Sequence, residues 1–418
     1  MPEQCAEIAI LGAGPAGAHL ASRLAAAGRD VVLFDPKGAW EKPCGGGVPT
    51  RALREFGFIL KSGSYPRKLI DRITLISPLG HRVSVKLAEP FAIYSREVLN
   101  RLVLDRATDA GARFIRAGVT DFGREGDEWR LTTGDGGSWT ARYLVGADGA
   151  ASFTRRRLVG IFPKGDLALA FGYNVTSEPH SGPNSEPNSG PHSGPNSGPN
   201  SGNDADGEEA VVRFLKDFTG YLWAFPRPEV MNFGVASKLG ERTSEELRTL
   251  LKSFVCDYYG GKLPDETRLN FFGAKIPTLE FGSWKELRTT GDGWALIGDA
   301  AGFADPITGE GIYYAFKSAD LLADTLIAAG ILTTTYENPT TEYERRWREE
   351  FGRDLEHASY RLPRFYRGYF FGQVFTDAVV RLARWHRGVR TVLIKTLVGE
   401  QSYVTLKRDL LRRAYQIF

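Results

Sequence analysis

Sulfur and imidazole are scarce in this chain. Three cysteines, Cys5, Cys44 and Cys256, are spread over 418 residues. An odd number at wide spacing fits a reducing compartment and no disulfide framework. Of the six histidines, His180 and His192 lie in a low-complexity tract, and the other four show no metal-ligand spacing. No metal is therefore expected. No apolar run approaches the roughly 20 residues a membrane span needs. Acidic residues near the start and a strand directly after them leave no signal peptide, so the expected location is cytoplasmic. The net charge of +3 is too small to imply a nucleic-acid partner. Hydrophobic and charged fractions are ordinary for a globular chain, and the length suits two or three domains.

What is present begins at Ile8. Ile8 to Leu11 is an apolar run long enough for one buried strand. It breaks into Gly12, Gly14 and Gly17, then into a helical pattern on which Leu20, Leu24 and Ala27 share a face and which Gly28 stops. Val31 to Phe34 is a second buried strand, with Asp35 at its carboxyl end. This is a dinucleotide-binding βαβ unit with a reason for each position. Gly12 allows the tight turn, Gly14 lets a pyrophosphate approach the backbone, and Gly17 lets helix and strand pack closely. The helix N-terminus offers unpaired N–H groups to phosphate. Asp35 can accept from a ribose 2′-hydroxyl, and its charge would repel a 2′-phosphate. The triplet alone does not choose between FAD and NAD.

Further along, Lys42 to Pro49 reads KPCGGGVP. Its bare backbone at Gly45 and Gly46 is either a surface turn or a loop against which something flat can lie. Residues 69–94 alternate as a hairpin. Residues 95–111 read as a helix with Ser95 as N-cap and Arg96 in its first turn. A short strand and a meander follow to residue 145, and then Gly146, Ala147, Asp148 and Gly149. An acid and glycine at the end of an apolar strand make a second place to hold a nucleotide. The tract 177–207 is a near-repeat of Ser-Gly-Pro-Asn with nothing apolar to bury, so disorder is expected inside a hairpin loop. Tyr221, Trp223 and Phe225 alternate on one strand face, either as packed sheet or as the wall of an apolar pocket. Residues 243–259 are helical, with Thr243 or Ser244 as N-cap. A third apolar strand, Trp294 to Ile297, ends in Gly298-Asp299 and runs through Asp305-Pro306-Ile307-Thr308-Gly309-Glu310-Gly311-Ile312 into a helix. That helix start favours the negative charge a reduced flavin carries. In the helical remainder Arg381, Arg384 and Arg387 recur at every third position around Val379, Leu382 and Trp385. This is either a solvated basic face or one apposed to an anionic membrane.

These motifs, in this order, resemble the FAD contacts of the para-hydroxybenzoate hydroxylase fold, and within it the geranylgeranyl reductase family. GAGPAG with Asp35, Arg96, Gly146–Gly149 and GDAAGFADPITGEGI carry the FAD resemblance; KPCGGG, YLWAFP and DPITGEGI narrow it to the reductases. The resemblance implies an α/β FAD-binding Rossmann-like domain (1–70, 95–165 and 285–335) interleaved with an α+β substrate domain (71–94 and 166–284), plus a helical C-terminal region (336–418). It implies FAD contacts at Gly12, Gly14, Ala16, Gly17, Asp35, Cys44, Gly45, Gly46, Arg96, Asp148, Gly149, Asp299, Pro306, Gly309, Gly311 and Ile312. It implies reduction of C=C bonds in an apolar isoprenoid, with Cys44 beside the flavin as proton donor or positioning group, and Tyr221 and Trp223 lining the tunnel. An FAD monooxygenase acting on an aromatic or lipid substrate is the alternative; a non-catalytic flavin-binding protein ranks below both. No second glycine-rich βαβ unit is found for a nicotinamide, so electrons are expected from transiently docked NAD(P)H or a protein donor such as reduced ferredoxin. The chain departs from the family at Gly234-Val235-Ala236, where Gly-x-Gly is usual. A halogenase lysine is not found in its usual context.

Overall fold

The computed structural model describes residues 4–61, 63–176, 209–329, 339–370 and 372–414. The repeat tract expected to be disordered, 177–207, lies outside the described residues.

Two eight-stranded sheets organise the chain. The first is built on the expected βαβ unit. Gln4–Leu11 lies between Val31–Phe34 and Ser138–Gly146, parallel to both, with Ile8 opposite Val31 and Tyr143. A central parallel strand is buried on both faces, which is why it reads as an unbroken apolar run. Arg113–Ile115 extends the sheet beyond Val31–Phe34, and Trp294–Leu296 joins beside the end of Ser138–Gly146. Thr290–Gly291, beside Trp294–Leu296, and the meander Val119–Glu125 and Glu128–Thr133 complete it.

The helix Pro15–Ala26 begins with Gly14 at the cap and Pro15 in its first turn, a position where the missing N–H costs nothing. It packs against Ile312–Ala329 and Arg96–Asp109. Ala27, expected on the apolar stripe, falls just past the helix end and is exposed. Gly28 stops the helix with a left-handed φ of 78°.

The second sheet runs in the order Leu269–Pro277, Leu167–Thr176, Val230–Lys238, Gly220–Pro226, Glu209–Phe214, Lys68–Ile76, Arg82–Ile93 and Gly47–Val48. All its neighbours are antiparallel except Glu209–Phe214 against Lys68–Ile76. Gly47–Val48 and Lys68 pair here, so the chain enters this sheet before residue 71. Ser244–Tyr258 covers one face, burying Leu247, Leu251 and Phe254 with Phe233 and Val235. Its N-cap is Thr243, in a capping box with Glu246.

The C-terminal region is mostly helical, as expected. Pro339–Trp347 and Arg353–Arg367 are joined by a turn of π-helix, and Phe375–Trp385, Arg387–Leu397 and Leu406–Ala414 follow. A short hairpin, Tyr369–Phe370 with Gln373–Val374, interrupts them. Leu362, Tyr366, Val380, Ala383 and Leu393 pack onto Ile73, Leu75 and Phe91 of the second sheet. Among the described residues no helix is long and apolar enough to cross a membrane.

Candidate active site

Three turns separated in sequence meet around one cavity. Gly12 has a φ of 106°, and a Cβ there would lie 2.4 Å from the Ala147 carbonyl oxygen. Only glycine lets the first turn touch the Gly146–Gly149 turn so closely. At Gly17 a Cβ would lie 1.9 Å from the Gly12 oxygen, so its absence allows the helix to seat on the strand. Gly298 brings the third turn against the first helix; its added Cβ would lie 3.0 Å from the Ala16 methyl. Lys42 Nζ donates to Asp299 Oδ2 at 2.8 Å, tying the cysteine–glycine loop to the third turn.

The cavity between these turns holds about 570 Å³. Its polar end is lined by Gly12, Gly14, Ala16, Asp35, Arg96 and Asp299. Gly45, Gly46, Asp148, Gly149, Gly309, Gly311 and Ile312 line it as well. Two of the residues singled out in the sequence stand elsewhere. Gly17 lies behind the turn, and Pro306 lines a neighbouring small cavity.

Asp35 does not stand free. Its Oδ2 accepts from the Ala13 N–H at 2.9 Å, and its Oδ1 from the N–H groups of Lys37 and Gly38 at 2.8 and 3.0 Å. Both lone pairs of Oδ1 are thus taken, and Oδ2 keeps the one left for a hydroxyl. The Asp148 carboxylate accepts from the Thr154 N–H at 2.9 Å and from the hydroxyls of Thr154 and Ser152. Burial pushes it up, against those hydrogen bonds. It organises the next helix start.

The cavity's wall is the strand Gly220–Pro226. Tyr221, Trp223 and Phe225 all line it, with successive ring centroids 5.9 and 6.3 Å apart. The same rings also pack with Ala170 and Ala236 of the sheet. Trp223 Nε1 donates to Asn232 Oδ1 at 2.8 Å. A Cβ at Gly234 would fall 1.9 Å from the Trp223 ring, so that glycine makes room for the indole. Ala236, at the family's second glycine, pairs opposite Tyr221 and lines the same cavity. The Tyr221 hydroxyl donates to the Thr308 carbonyl, and burial pushes the phenol well above its ordinary range. Beyond this wall the lining is apolar: Ile73, Phe91, Val212, Phe214, Phe365 and Leu397.

Gly45 lies against the wall; its added Cβ would be 3.1 Å from Phe225 and 3.2 Å from Trp223 Nε1. Cys44 is half-buried, and its Sγ accepts from the Gly46 N–H at 3.3 Å. Burial pushes the thiol up, but the Arg96 guanidinium and the Gly46 N–H outweigh it, leaving the thiol below its ordinary value.

Sequence reasoning missed two groups. Glu41 is the first. Ser95 occupies the N-cap position, but its hydroxyl donates to Glu41 instead of capping. The Glu41 carboxylate takes the exposed N–H groups of Arg96 and Glu97 at 3.2 and 3.0 Å. It also pairs with Arg227 at 2.7 Å, whose other amino group donates to the Cys44 carbonyl at 2.6 Å. These partners are far apart in sequence, so no local signal exposes them. Glu310 is the second. It lines the cavity, its Oε1 accepts from the Tyr313 N–H at 2.7 Å, and burial pushes it up to about 8. The Gly-Glu-Gly setting at a helix start was the available signal.

The residues present fit a dinucleotide. A Cβ at Gly14 would meet nothing within 4 Å, which leaves the helix N-terminus open to a phosphate. Arg96 lines the cavity while buried, and its Nε has no protein partner. Such a group calls for a ligand that can accept from it.

Residues 5–172 match the family model described as an FAD binding domain. The chain is 30% identical over 328 residues to a geranylgeranyl diphosphate reductase of Rhodobacter capsulatus, covering 76% of this chain and 74% of that protein. It is 25% identical to a geranylgeranyl diphosphate reductase of Synechocystis, covering 96% and 95% of the two. The crystal structure of a geranylgeranyl bacteriochlorophyll reductase-like protein from Thermoplasma acidophilum superposes with a TM-score of 0.72 at 18% identity, covering 100% of this chain and 97% of that one. Fold, glycine turns and matches together define an FAD-dependent oxidoreductase with a Rossmann-like α/β core. Within that class, the chain belongs to the geranylgeranyl reductase family.

Proposed function

We propose that the chain reduces C=C bonds in a polyprenyl substrate of geranylgeranyl type. One observation carries this reading: a single cavity joins the glycine turns to a pocket walled by Tyr221, Trp223, Phe225 and aliphatic side chains. When bound, the reduced flavin would supply hydride. The chain's own residues do the rest. Gly12, Gly14 and Ala16 with their helix N-terminus hold the pyrophosphate, Gly17 seats that helix behind them, and Asp35 takes the ribose. Arg96, the Asp148–Gly149 turn, Asp299, Gly309, Gly311 and Ile312 complete the grip, with Pro306 behind them. Residues 71–94 and 166–284 act as the substrate domain. Tyr221 and Trp223 orient the apolar chain and exclude water.

An isolated alkene needs a proton as it accepts hydride. Cys44 is the proposed donor or positioning group: its thiol sits on the Cys-Gly loop, and Arg96 eases loss of its proton. Glu310 lines the same cavity and keeps its proton at neutral pH. A Cys44→Ala variant should retain FAD and lose alkene reduction; full activity would remove Cys44 from the mechanism.

The decisive experiment is mass spectrometry of the product after the flavin-loaded protein meets a polyprenyl substrate. A gain of two hydrogens supports the reductase. A gain of one oxygen, with oxygen consumption, selects the monooxygenase instead. Whether NAD(P)H or reduced ferredoxin bleaches the bound flavin identifies the donor.

A further inference from the structure

The last stretch of the chain is electrically unlike the rest. Residues 361–418 hold twelve Lys and Arg against three Asp and Glu, whereas the whole chain holds 53 against 50. Everything before residue 361 is therefore net acidic.

Part of this basic stretch forms an exposed, half-apolar patch. The helix Phe375–Trp385 buries Thr376, Asp377, Val380 and Ala383. Asp377 accepts from Ser77 Oγ at 2.6 Å, which fixes which face points inward. The outward face presents Leu382, 45% exposed, and Trp385, 81% exposed. In the hairpin just before it, Phe370 is 51% exposed. Arg381 donates to Gln373 of that hairpin, so the two pieces form one surface. Arg381, Arg384 and Arg387 form no ion pair among the described residues. Arg384 reaches across the Trp385 ring, 5.8 Å from its centroid. Arg390, by contrast, is spent on the Ala383 and Arg384 carbonyls and serves as a cap.

The segments that flank the patch in sequence reach the cavity. Phe365 and Tyr366, just before the hairpin, and Leu397 and Val398, at the end of the following helix, line its apolar end. The patch thus lies, in the chain, between two segments that line the cavity which would hold the substrate.

We propose that this patch docks on a lipid bilayer bearing anionic headgroups. The helix Phe375–Trp385 lies in the headgroup plane, with Trp385, Leu382 and Phe370 at the acyl boundary. Arg381, Arg384 and Arg387 lie among the phosphates. Indole and guanidinium side by side suit that depth, because the ring is amphipathic and the long arginine stem lets its head stay in the polar layer. The inference rests on the polyprenyl reading only for its purpose, which is access to a membrane-borne chain.

The test uses the flavin-loaded full chain and vesicles of phosphatidylcholine, alone or mixed with phosphatidylglycerol. Sedimentation should recover the protein with the mixed vesicles, and salt should weaken the binding. Combining Arg381→Gln, Arg384→Gln and Arg387→Gln should lower the partition coefficient on the order of 100-fold. Trp385→Ala, which removes a side chain that is mostly in solvent, should also weaken binding while leaving flavin absorbance and melting temperature unchanged. Equal binding of wild type and triple variant overturns the proposal, as does equal recovery with both vesicle types or no recovery at all. So does a solution dimer that Trp385→Ala disperses. Activity on a detergent-dispersed substrate should be unchanged in Trp385→Ala; a chain inactive on every polyprenyl substrate but bound to anionic vesicles would sink the function and leave the docking standing.

Discussion

Glu310 offers a clean test of the buried polar end of the cavity. An ordinary glutamate ionises near 4.5, and burial lifts this one to about 8, with Asp305 adding repulsion and Arg51 opposing. The sign follows from proton counting. Below pH 4.5 folded and unfolded chains both hold the proton, and the group costs nothing. Between 4.5 and 8 the unfolded chain ionises while the folded chain keeps its proton, so stability falls as pH rises. Above 8 both are ionised and the decline stops. The full span is on the order of 5 kcal/mol. Glu310→Gln keeps an oxygen for the Tyr313 N–H and removes the titration. Urea unfolding of both proteins from pH 4 to pH 9 isolates the effect. The variant should gain steadily on the wild type between about pH 5 and 8 and then run parallel to it. Asp305, also pushed up by burial, keeps its own decline in both proteins. Parallel curves across the whole range would show that Glu310 is hydrated and ionised, and the reading of it as a buried, protonated cavity group would fall.

Other substitutions probe the remaining parts of the site. Gly234→Ala puts a methyl 1.9 Å from the Trp223 ring; the indole must swing off Asn232 at about 1–3 kcal/mol, seen as a lower melting temperature and a raised KM. Gly12→Ala places a methyl 2.4 Å from the Ala147 oxygen at a left-handed φ of 106°. Neither backbone can yield, so purified protein should lose its visible flavin absorbance. Glu41→Gln leaves Arg227 buried without its counter-charge, at about 2 kcal/mol given that Glu41 is itself partly exposed. Burial pushes Glu41 up, but Arg227 and Ser95 help to hold it below 4.5. Its contribution is therefore present above pH 4.5 and lost as pH falls through the lower folded value, and acid unfolding of the variant should show a shallower limb there.

What the sequence revealed and what it hid divide along chain distance. Strand, glycine turn, helix and second strand from residue 4 to residue 34 are adjacent, and each is dictated by its own few residues. The third turn was legible for the same reason, because Gly298, Gly309 and Gly311 fall around one helix start. The alternation of Tyr221, Trp223 and Phe225 placed them on one face but could not say what that face met. The Glu41–Arg227 pair spans 186 positions and the Lys42–Asp299 pair 257. No periodicity records such pairings. Ser95 looked like a cap by composition, yet a carboxylate from another loop outcompeted its hydroxyl, since a charged acceptor binds two N–H groups more strongly. The parallel contact between Lys68–Ile76 and Glu209–Phe214 was equally unreadable, because parallel strands need long crossovers.

The placement of Trp294–Leu296 carries a consequence for biosynthesis. That strand pairs with residues 144–146, yet the ribosome makes it only after the whole second sheet. Until then the nascent polypeptide bears an open hydrogen-bonding edge beside the nucleotide turns. Chaperone dependence should therefore be greatest in chains stalled or truncated before residue 294, and should vanish once this late strand emerges.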